Sequence, residues 1–567
     1  MSYAAVRLLL VPVLVWCAAL IGPAEAEPAL AHHHMIAAAN PHAAEAGLAM
    51  LRRGGSAVDA AIAAQAVLGL VEPQSSGIGG GAFLLHYDAK SHAVESYDGR
   101  ETAPAAATPE LFLDASGKPL GFLQAVVGGR SVGVPGVLRM LELAHKAHGK
   151  LPWADLFQPA IDLAEHGFVI SPRLHYLIAT DTALAGTAAA KAYFFTAASE
   201  PKPAGGLLRN PDYADTLRRI AKAGAGAFYG GAIAADIVAA VRAAANPGGL
   251  TLADLAAYRA KERGSLCRPY RRWQVCGMPP PSSGGIAELQ ILGLLEHFDL
   301  DRLSPTSAAA VHLVGEASKL AFADRDTYVA DTDFLGVPVA GLLDRDYLAA
   351  RARLIDPKTS IGHAKAGEPP RRAGFYAPQL SDEIPSTSHL SIVDDDGNAV
   401  AMTTTVEGPF GSRLFVRGFI LNNQLTDFSF VPSIDGVPVA NRVEPGKRPR
   451  SSMSPTLVLD DKGNFLLAIG SPGGSRIIGF VTEALLGVLD WRLDPQAAVE
   501  LPHYLNRNGP TELEAETPLE TLQGALEALG EDIRLARMNS GLHAILRTPQ
   551  GLQGGADPRR EGVALGD

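Results

Sequence analysis

The sequence is poor in cysteine, has no excess of positive charge and, beyond its first residues, has no long hydrophobic run. Its 567 residues carry a formal net charge of -11 without a long basic segment, so we expect neither nucleic acid nor an anionic membrane surface as a partner. Three cysteines are too few for a sulfur-rich metal site. With 47% hydrophobic and 19% charged residues, the chain is expected to form a large globular protein.

The one long hydrophobic run lies at the N-terminus. Arg7 precedes apolar residues 8–21, and Ala24-Glu25-Ala26 follows them. The run is shorter than the ~20 residues that a spanning helix requires, which favours a cleaved secretory signal over a membrane anchor. We therefore predict a signal peptide over residues 1–26, a periplasmic or secreted mature protein, and no membrane association after the signal is removed.

Removal of the signal would take Cys17 and leave Cys267 and Cys276 as the cysteines of the mature chain. They flank the sequence RPYRRWQV, whose composition predicts a single strand. An oxidising compartment favours a disulfide between them, and two free thiols are the alternative.

The segment TSHLSIVDDDGNAVAMTTT, residues 387–405, predicts a β-hairpin. Its first half is β-branched and apolar, and Asp396-Gly397-Asn398 has strong turn chemistry. The hairpin would place the Thr387 hydroxyl at the head of one strand and the Thr403–Thr405 cluster on the returning strand. Taken alone, it could be an ordinary hairpin with a polar face.

A polar, proline-containing stretch over residues 351–385 precedes this hairpin and predicts an exposed connector. The connector ends directly before Thr387. A precursor that cleaves itself at this point needs such a segment, because the freed end must move away from the nucleophile.

Three further patterns are typical of a binding site. The loop Gly77–Gly81 lacks a following Gly-Lys-Ser/Thr and precedes a strand, which excludes a phosphate-binding loop and favours close backbone packing. Arg100, at the end of a predicted strand, could bind a carboxylate with two hydrogen bonds or could form an ordinary salt bridge. Gly473 and Gly474, before a helix over residues 477–489, could bind an oxyanion through their N–H groups or could form a packing turn.

Two patterns suggest metal binding, but neither is convincing. The tract His32–His34 stands near the predicted mature N-terminus, where solvated histidines are the commoner interpretation. A helix is predicted over residues 305–324, and the aspartates after it lack the glycine and terminal glutamate of an EF-hand loop. We therefore predict no metal site.

Together these motifs resemble one family, the γ-glutamyltransferases, which are threonine members of the N-terminal nucleophile hydrolases. The strings that carry the resemblance, in order, are DGRETAP, MPPPSSGG, TSHLSIVDDDGNAVAMT, LNNQLTDFS, KRPRSSMSPT and GSPGGSR. They cover nearly the whole mature chain. The resemblance implies an α+β fold, an αββα four-layer sandwich built from a self-cleaved large and small subunit, without a metal or organic cofactor.

The resemblance also implies how Thr387 would act. A threonine hydroxyl is a poor nucleophile, and a free α-amine with a pKa of about 7.7 to 8.0 is a suitable base for it. Thr387 would supply both groups once the Ser386–Thr387 bond is cut by its own hydroxyl. The predicted products are a large subunit of residues 27–386 and a small catalytic subunit of residues 387–567, which together form one intertwined domain.

The family roles carry over to matching positions of this sequence. Thr405 would hydrogen-bond the nucleophile, and Gly473 and Gly474 would supply the oxyanion N–H groups. The donor would be held through its α-carboxylate and α-ammonium groups. The residues expected to bind the carboxylate are Arg100, Ser451 and Ser452, and those expected to bind the ammonium are Gln424 and Asp427.

Glu407 departs from the family pattern, because the best-known members have asparagine at this position. It would add a second negative charge to the ammonium pocket beside Asp427, or it would lie outside the pocket. The predicted activity is cleavage of γ-glutamyl amides such as glutathione through an acyl-threonine intermediate, with transfer to water or to an amino-acid or peptide acceptor. A glutaryl or cephalosporin-type acylase on the same fold is one alternative, and a non-catalytic periplasmic binding protein is the other.

Overall fold

Two seven-stranded antiparallel sheets form the centre of the molecule. The computed structural model describes residues 27–372, 374, 376–379 and 386–567. The signal peptide predicted over residues 1–26 lies outside the described residues, and so does the end of the predicted connector, residues 380–385. The prediction of a mixed helix and sheet fold is confirmed.

The first sheet, called sheet I below, carries the predicted hairpin at its centre. The hairpin strands pair from Ser388 opposite Thr404 to Val393 opposite Ala399, as the turn chemistry predicted. In spatial order, the strands of sheet I are Val563–Gly566, Met35–Ala38, Ser388–Val393, Ala399–Thr405, Gly81–Asp88, Ala93–Asp98 and Lys261–Gly264.

The second sheet, called sheet II below, is also antiparallel between all neighbours. In spatial order, its strands are Ala29–Ala31, Gly551–Ala556, His543–Thr548, Phe465–Gly470, Thr456–Leu459, Trp273–Gly277 and Leu266–Tyr270. Four short sheets lie outside these two. Their strands are Phe168–Val169 with Leu207–Leu208, Phe415–Val416 with Phe419–Ile420, Ser433–Ile434 with Val437–Pro438, and Tyr504–Leu505 with Thr511–Glu514 and Ile533–Ala536.

Alternation along the strands of sheet I divides its side chains between two hydrophobic cores. Phe83 and Leu85 face sheet II and join a core with Leu467 and Ile469 from that sheet. Leu84 points to the opposite face and joins the helices that cover it. Because successive strand residues point to opposite faces, one strand contributes to both cores.

Helices cover the outer faces of both sheets. On sheet I, Ala57–Val71 is buried along its whole length, and a capping box between Ser56 and Asp59 fixes its start. Its many alanines allow close packing against the sheet. The α-helices of eight or more residues are Pro41–Arg52, Ala57–Val71, Val137–His148, Gln158–His166, Pro172–Thr180, Pro211–Ala223, Gly231–Ala243, Gly284–Leu295, Ala308–Tyr328, Arg345–Ala352 and Ile477–Leu489. The shorter ones are Phe122–Val126, Ala188–Phe194, Gly226–Tyr229, Leu252–Ala257, Val339–Leu342, Pro495–Glu500 and Gln523–Glu527.

The helix predicted over residues 305–324 begins and ends later than expected and spans Ala308–Tyr328. Asp324, predicted to be its last residue, lies about one turn inside it. Its carboxylate is buried and accepts hydrogen bonds from Tyr347 and Gln290, which offsets the low helix propensity of aspartate. These partners are distant in sequence, so no local pattern indicated them.

The single strand predicted for RPYRRWQV is wrong. Leu266–Tyr270 and Trp273–Gly277 are two paired strands, joined by a two-residue turn at Arg271 and Arg272. Arg271 has a φ of +51°, a conformation that tight hairpin turns require. The turn was missed because neither residue is a glycine, asparagine or aspartate.

This hairpin places Cys267 opposite Cys276 at the edge of sheet II, with their Cα atoms 4.0 Å apart. The two residues form a disulfide in the structure. The bond joins the second residue pair from the open end of the hairpin and therefore acts locally.

Candidate active site

The hairpin of sheet I brings the two predicted threonines into contact. The Thr387 hydroxyl donates a hydrogen bond to Thr405 Oγ1 at 3.1 Å, and the backbone N–H of Glu407 donates to the same oxygen at 2.8 Å. Thr387 is buried, with 4% of its surface exposed. The hairpin register thus positions Thr405 as a fixed neighbour of the predicted nucleophile.

The glycine-rich loop packs directly against this threonine pair. A side chain on Gly80 would place its Cβ only 2.0 Å from the Thr405 carbonyl oxygen. Only glycine allows this approach. The loop is therefore a packing element of the site, as predicted, and it holds the end of the returning strand in place.

The backbone at Thr387 is strained. Its φ is +102°, a value rare for residues other than glycine and unfavourable for a β-branched side chain. Such conformations cost about 1–3 kcal/mol and persist where the surroundings impose them. Here the Ser386 hydroxyl donates to the Gln74 carbonyl at 2.7 Å, and Arg560 Nη1 donates to the Thr387 carbonyl at 2.9 Å. The peptide bond at Ser386–Thr387 is held on both sides.

The predicted oxyanion turn reaches the same peptide bond from sheet II. The backbone N–H of Gly473 donates to the Ser386 carbonyl oxygen at 3.3 Å. Gly473 has a φ of +142° and Gly474 a φ of +60°, and a Cβ on Gly473 would lie 2.8 Å from Phe480. The turn therefore requires glycine and directs an N–H group at the carbonyl that self-cleavage would attack.

A small cleft opens beside the threonine pair. It brings together the predicted donor-binding residues with the nucleophile, although they come from four distant parts of the chain. The residues that line it are Arg100, Thr387, Thr405, Glu407, Gln424, Asp427, Ser451, Ser452, Met453, Gly474 and Ile477. Among the predicted catalytic residues, Gly473 lies next to the cleft and contacts Ser386 instead.

Arg100 is the buried cation of this cleft. Its guanidinium donates to the carbonyls of Pro449 at 3.1 Å and Arg450 at 2.8 Å, and to Asp427 Oδ2 at 2.5 Å. Gln424 Nε2 donates to the same Asp427 oxygen at 2.7 Å. The cleft therefore presents a positive and a negative group side by side, which complements the zwitterionic end of an amino acid.

Glu101 lies directly behind Arg100 and is fully buried. Its carboxylate is 4.0 Å from Arg100 Nη1. Burial raises the pKa of Glu101 to about 8, and the Arg100 charge only partly opposes this rise. Glu101 is thus largely neutral at pH 7, which leaves the positive charge of Arg100 to act on Asp427 and the cleft.

Glu407, whose position the sequence left open, lies on the cleft. Its backbone has a φ of +80°, and its carboxylate accepts a hydrogen bond from Asn423 Nδ2. The other atom of the Asn423 amide accepts from the Gly408 N–H at 3.0 Å. A second carboxylate therefore shares the cleft with Asp427, held in place by a neutral amide.

Two arginines of this region were not predicted. Arg325, from the helix Ala308–Tyr328, donates to Ser452 Oγ at 2.6 Å and to Ser283 Oγ at 2.9 Å. Arg560 contacts the Thr387 carbonyl, and burial and the nearby Arg173 lower its pKa to about 9. No motif spacing indicated either contact, because the partners are more than 40 residues apart in sequence.

Metal binding in the cleft has no support from its lining residues. Among the described residues, two groups of histidine and carboxylate side chains could hold a metal ion, and neither includes a residue of the cleft. The chemistry that the cleft can perform is therefore that of hydroxyls, backbone N–H groups and charged side chains.

Known proteins are similar to this chain in sequence and in fold. A family model described as gamma-glutamyltranspeptidase matches residues 43–567. The glutathione hydrolase proenzyme of Bacillus subtilis (strain 168) is 37% identical over 545 residues, which cover 94% of this chain and 91% of the relative. The glutathione hydrolase proenzyme of Escherichia coli (strain K12) is 38% identical over 544 residues, again 94% of this chain and 91% of the relative.

A solved structure is also similar over the full length. The crystal structure of cephalosporin acylase from Bacillus halodurans superimposes with a TM-score of 0.84 at 28% sequence identity, covering 98% of this chain and 99% of that chain. The likeness therefore extends to proteins named for two different substrates.

Proposed function

The chain belongs to the gamma-glutamyltranspeptidase family, and on this basis we propose that it is an enzyme precursor that cuts itself before Thr387 and then cleaves γ-glutamyl amides such as glutathione. Water or an amino acid or peptide would accept the γ-glutamyl group. The observation that carries this proposal is the cleft in which the Thr387–Thr405 pair lies beside Arg100, Gln424 and Asp427.

Self-cleavage would begin with attack of Thr387 Oγ1 on the Ser386 carbonyl carbon. An ester then replaces the peptide bond, and the Thr387 nitrogen takes up the hydroxyl proton to become an amine. Water hydrolyses the ester and releases the Ser386 carboxylate. The Gly473 N–H contact to the Ser386 carbonyl oxygen and the strained φ of Thr387 support this step.

Turnover would use the same hydroxyl with a new base. The freed α-amine of Thr387, with a pKa of about 7.7 to 8.0, would take the proton as Oγ1 attacks the γ-carbonyl of the donor. The amine product leaves, and an acyl-Thr387 ester remains until water or an amine resolves it. Thr405 would orient Oγ1, and the Gly473 and Gly474 N–H groups would bind the oxyanion.

The donor would be held by its amino-acid end. Arg100, Ser451 and Ser452 would bind the α-carboxylate, and Gln424, Asp427 and Glu407 would surround the α-ammonium group. The ion pair between Arg100 and Asp427 supports this arrangement. A zwitterionic donor could replace it with two ion pairs, one between its carboxylate and Arg100 and one between its ammonium group and Asp427.

We further propose that the described sheets form an αββα four-layer sandwich shared by both fragments. Sheet I takes three strands from residues after Thr387 and four from residues before it. Cleavage would therefore leave a large fragment, residues 27–386, and a small fragment, residues 387–567, interleaved within one domain. No further partner is needed to complete the cleft.

The proposed chemistry requires no metal or organic cofactor. A signal peptide over residues 1–26 and a periplasmic or secreted location remain proposals that rest on the sequence. Within the described part of the chain, the helices are too short or too polar to cross a membrane.

A glutaryl or cephalosporin-type acylase is the second candidate function. The likeness to the cephalosporin acylase structure favours it. The pairing of Arg100 with Asp427 favours a donor that carries both charges. The non-catalytic binding protein is disfavoured, because relatives over most of the chain are named hydrolases.

The two enzymatic candidates differ by one ammonium group on the donor. We expect γ-glutamyl-p-nitroanilide and glutathione to be cleaved with a higher kcat/KM than glutaryl-p-nitroanilide, measured with the same enzyme preparation. Preference for the glutaryl compound would contradict the donor assignment while leaving Thr387 as the nucleophile.

A further inference from the structure

A group of histidine, glutamate and tyrosine side chains lies on the helix-covered face of sheet I, outside the cleft. His86 is in the strand Gly81–Asp88, directly opposite Glu95 in the neighbouring strand. Tyr97 lies two residues beyond Glu95 and therefore on the same face. His148 is the last residue of the helix Val137–His148 and completes the group.

The polar atoms of this group lie close to one another. Tyr97 Oη lies 2.9 Å from Glu95 Oε2 and 2.7 Å from His148 Nε2, and His148 Nε2 lies 2.7 Å from Glu95 Oε2. His86 Nδ1 lies 3.8 Å from the same Glu95 oxygen. The ligand atoms of His86, Glu95 and His148 all lie within 4.8 Å of one another.

Hydrogen bonding alone does not satisfy this arrangement. The three short contacts among Tyr97, Glu95 and His148 have at most two protons to share, one from the phenol and one from Nε2, since an ionised Glu95 brings none. One of the three contacts therefore has no proton of its own. A cation at the centre would relieve it.

His86 gives an independent indication. It is 2% exposed, and its Nδ1 has no hydrogen-bond partner among the described residues. A buried polar atom without a partner is rare in folded proteins and often marks an absent water or ion. The unpartnered Nδ1 is also the ligand atom that faces Glu95.

We propose that His86, Glu95 and His148 bind a divalent transition-metal ion of the zinc type, with Tyr97 or a water in the fourth position. Two imidazoles and a carboxylate suit Zn²⁺ far better than Ca²⁺ or Mg²⁺. Tetrahedral bonds of about 2.0–2.1 Å place ligand atoms about 3.3 Å apart, within the range of distances found here. The exposed fractions of Glu95 and His148, 32% and 15%, give the ion a route from solvent.

The other histidine and glutamate group of the described chain shows why this one is favoured. His312, Glu316 and Glu531 are also close together, but the Lys319 ammonium already contacts both carboxylates at 2.8 and 2.7 Å. A resident cation thus occupies that centre. The group around Glu95 contains no lysine or arginine contact of this kind among the described residues.

The ion would link a strand and a helix that support the cleft, and it would take no part in the reaction there. The strand Ala93–Asp98 leads directly to Arg100, and the helix Val137–His148 begins beside Gly136, whose N–H donates to the Gly80 carbonyl at 2.9 Å. None of the proposed ligands lines the cleft. We therefore expect the metal to stabilise the fold and to leave the donor preference unchanged.

The experiment is a Zn²⁺ titration of chelator-treated, dialysed protein by isothermal calorimetry, with Co²⁺ absorption as a second readout. The parent protein of this experiment carries His32→Ala and His33→Ala, so that the N-terminal histidine tract does not compete for Zn²⁺. Every variant is made in this parent. We expect one equivalent of Zn²⁺ to bind and to raise the melting temperature, and a visible Co²⁺ spectrum of a tetrahedral site. Glu95→Gln and His148→Ala should each weaken binding by about 100-fold, as loss of a ligand should cost at least as much as loss of an outer partner.

His166→Ala is the matched control, because His166 is also the last residue of a helix but is exposed and outside the group. It should bind Zn²⁺ like the parent protein. Circular dichroism and hydrolysis of γ-glutamyl-p-nitroanilide would show that each variant is folded. The proposal is overturned if the parent binds no Zn²⁺, or if folded Glu95→Gln and His148→Ala retain the parent affinity and stoichiometry.

Discussion

The two sides of the cleft are built in different ways. The reaction side, defined as Thr387, Thr405, Gly473 and Gly474, is fixed by backbone: strand register, two positive-φ glycines and N–H contacts. The donor side, defined as Arg100, Glu407, Gln424 and Asp427, is held by the hydrogen bonds and ion pairs that its side chains make.

Because of this difference, we expect changes on one side to affect the rate of cleavage and changes on the other to affect the preference among donors. A change on the reaction side should slow cleavage of every donor, because in the proposed mechanism every donor forms an oxyanion and then an ester at the same Thr387 oxygen. A change on the donor side should alter the preference among donors, because only some of them carry an ammonium group. Each variant below tests that separation.

The largest effect is expected from Thr387→Ala. It removes the proposed nucleophile, so neither self-cleavage nor turnover should be detectable by gel electrophoresis and p-nitroanilide release. Thr387→Ser keeps a hydroxyl and should retain part of both activities. Turnover by Thr387→Ala would show that another residue is the nucleophile and would contradict the proposed reaction side.

Gly473→Ala should produce the next largest effect. A Cβ would lie 2.8 Å from Phe480 at a φ of +142°, so the turn must move and its N–H would lose the Ser386 carbonyl. Loss of one oxyanion donor typically costs about 10²–10³ in kcat. Slower self-cleavage on a gel time course and an equal fall in kcat for all donors are expected.

Gly186→Ala is the control for this variant, because a Cβ there would meet no atom within 4 Å. It should match the wild type. If Gly473→Ala slowed the cleavage of one donor but not of another, the oxyanion turn would also determine donor preference. The proposed division between the reaction side and the donor side would then be wrong.

Glu407→Gln tests the donor side with a smaller effect. The substitution keeps the shape and removes one negative charge from the ammonium pocket. We expect the ratio of kcat/KM for γ-glutamyl to glutaryl anilide to fall by about 10-fold, which corresponds to about 1.4 kcal/mol. Self-cleavage should be unaffected, and Glu110→Gln, an exposed residue, should change neither quantity. An unchanged ratio would show that Glu407 does not contact the donor.

Glu101→Gln should affect the stability of the fold against pH rather than the rate of cleavage. Burial raises the pKa of Glu101 from 4.5 to about 8, so the folded state holds a proton that the unfolded state releases. Stability should therefore fall as the pH rises from 4.5 to 8, by at most about 1.4 kcal/mol per pH unit from this group. The glutamine variant carries no such proton.

Melting temperatures of the two proteins measured across pH 4 to 9 give the comparison. The variant should match the wild type near pH 4 and become progressively more stable relative to it toward pH 8. A constant difference across this range would show that Glu101 is ionised in the fold, with its charge paired to Arg100.

Local signals made much of the fold predictable. Asn40 and Ser56, both of favoured N-cap types, cap the helices that begin at the next residue, and the Asp396-Gly397-Asn398 turn set the hairpin register that joins Thr387 to Thr405. The residues on both sides of the cleft were assigned from the resemblance of their short motifs to those of the γ-glutamyltransferases.

The remaining features depend on contacts between distant parts of the chain. Arg325 and Arg560 reach Ser452 and Thr387 across more than 100 residues, and no pattern in their own neighbourhoods indicates this. The place of Glu407 depends on a backbone φ of +80°, which glutamate rarely adopts and which composition does not indicate.

The central claim is that the chain cuts itself before Thr387. Intact mass spectrometry with N-terminal sequencing of the purified, active protein tests it most directly. The expected result is two associated fragments, the smaller beginning with the sequence TSHLSI of residues 387–392. A single uncut chain with full activity, or a new terminus at another residue, would contradict it.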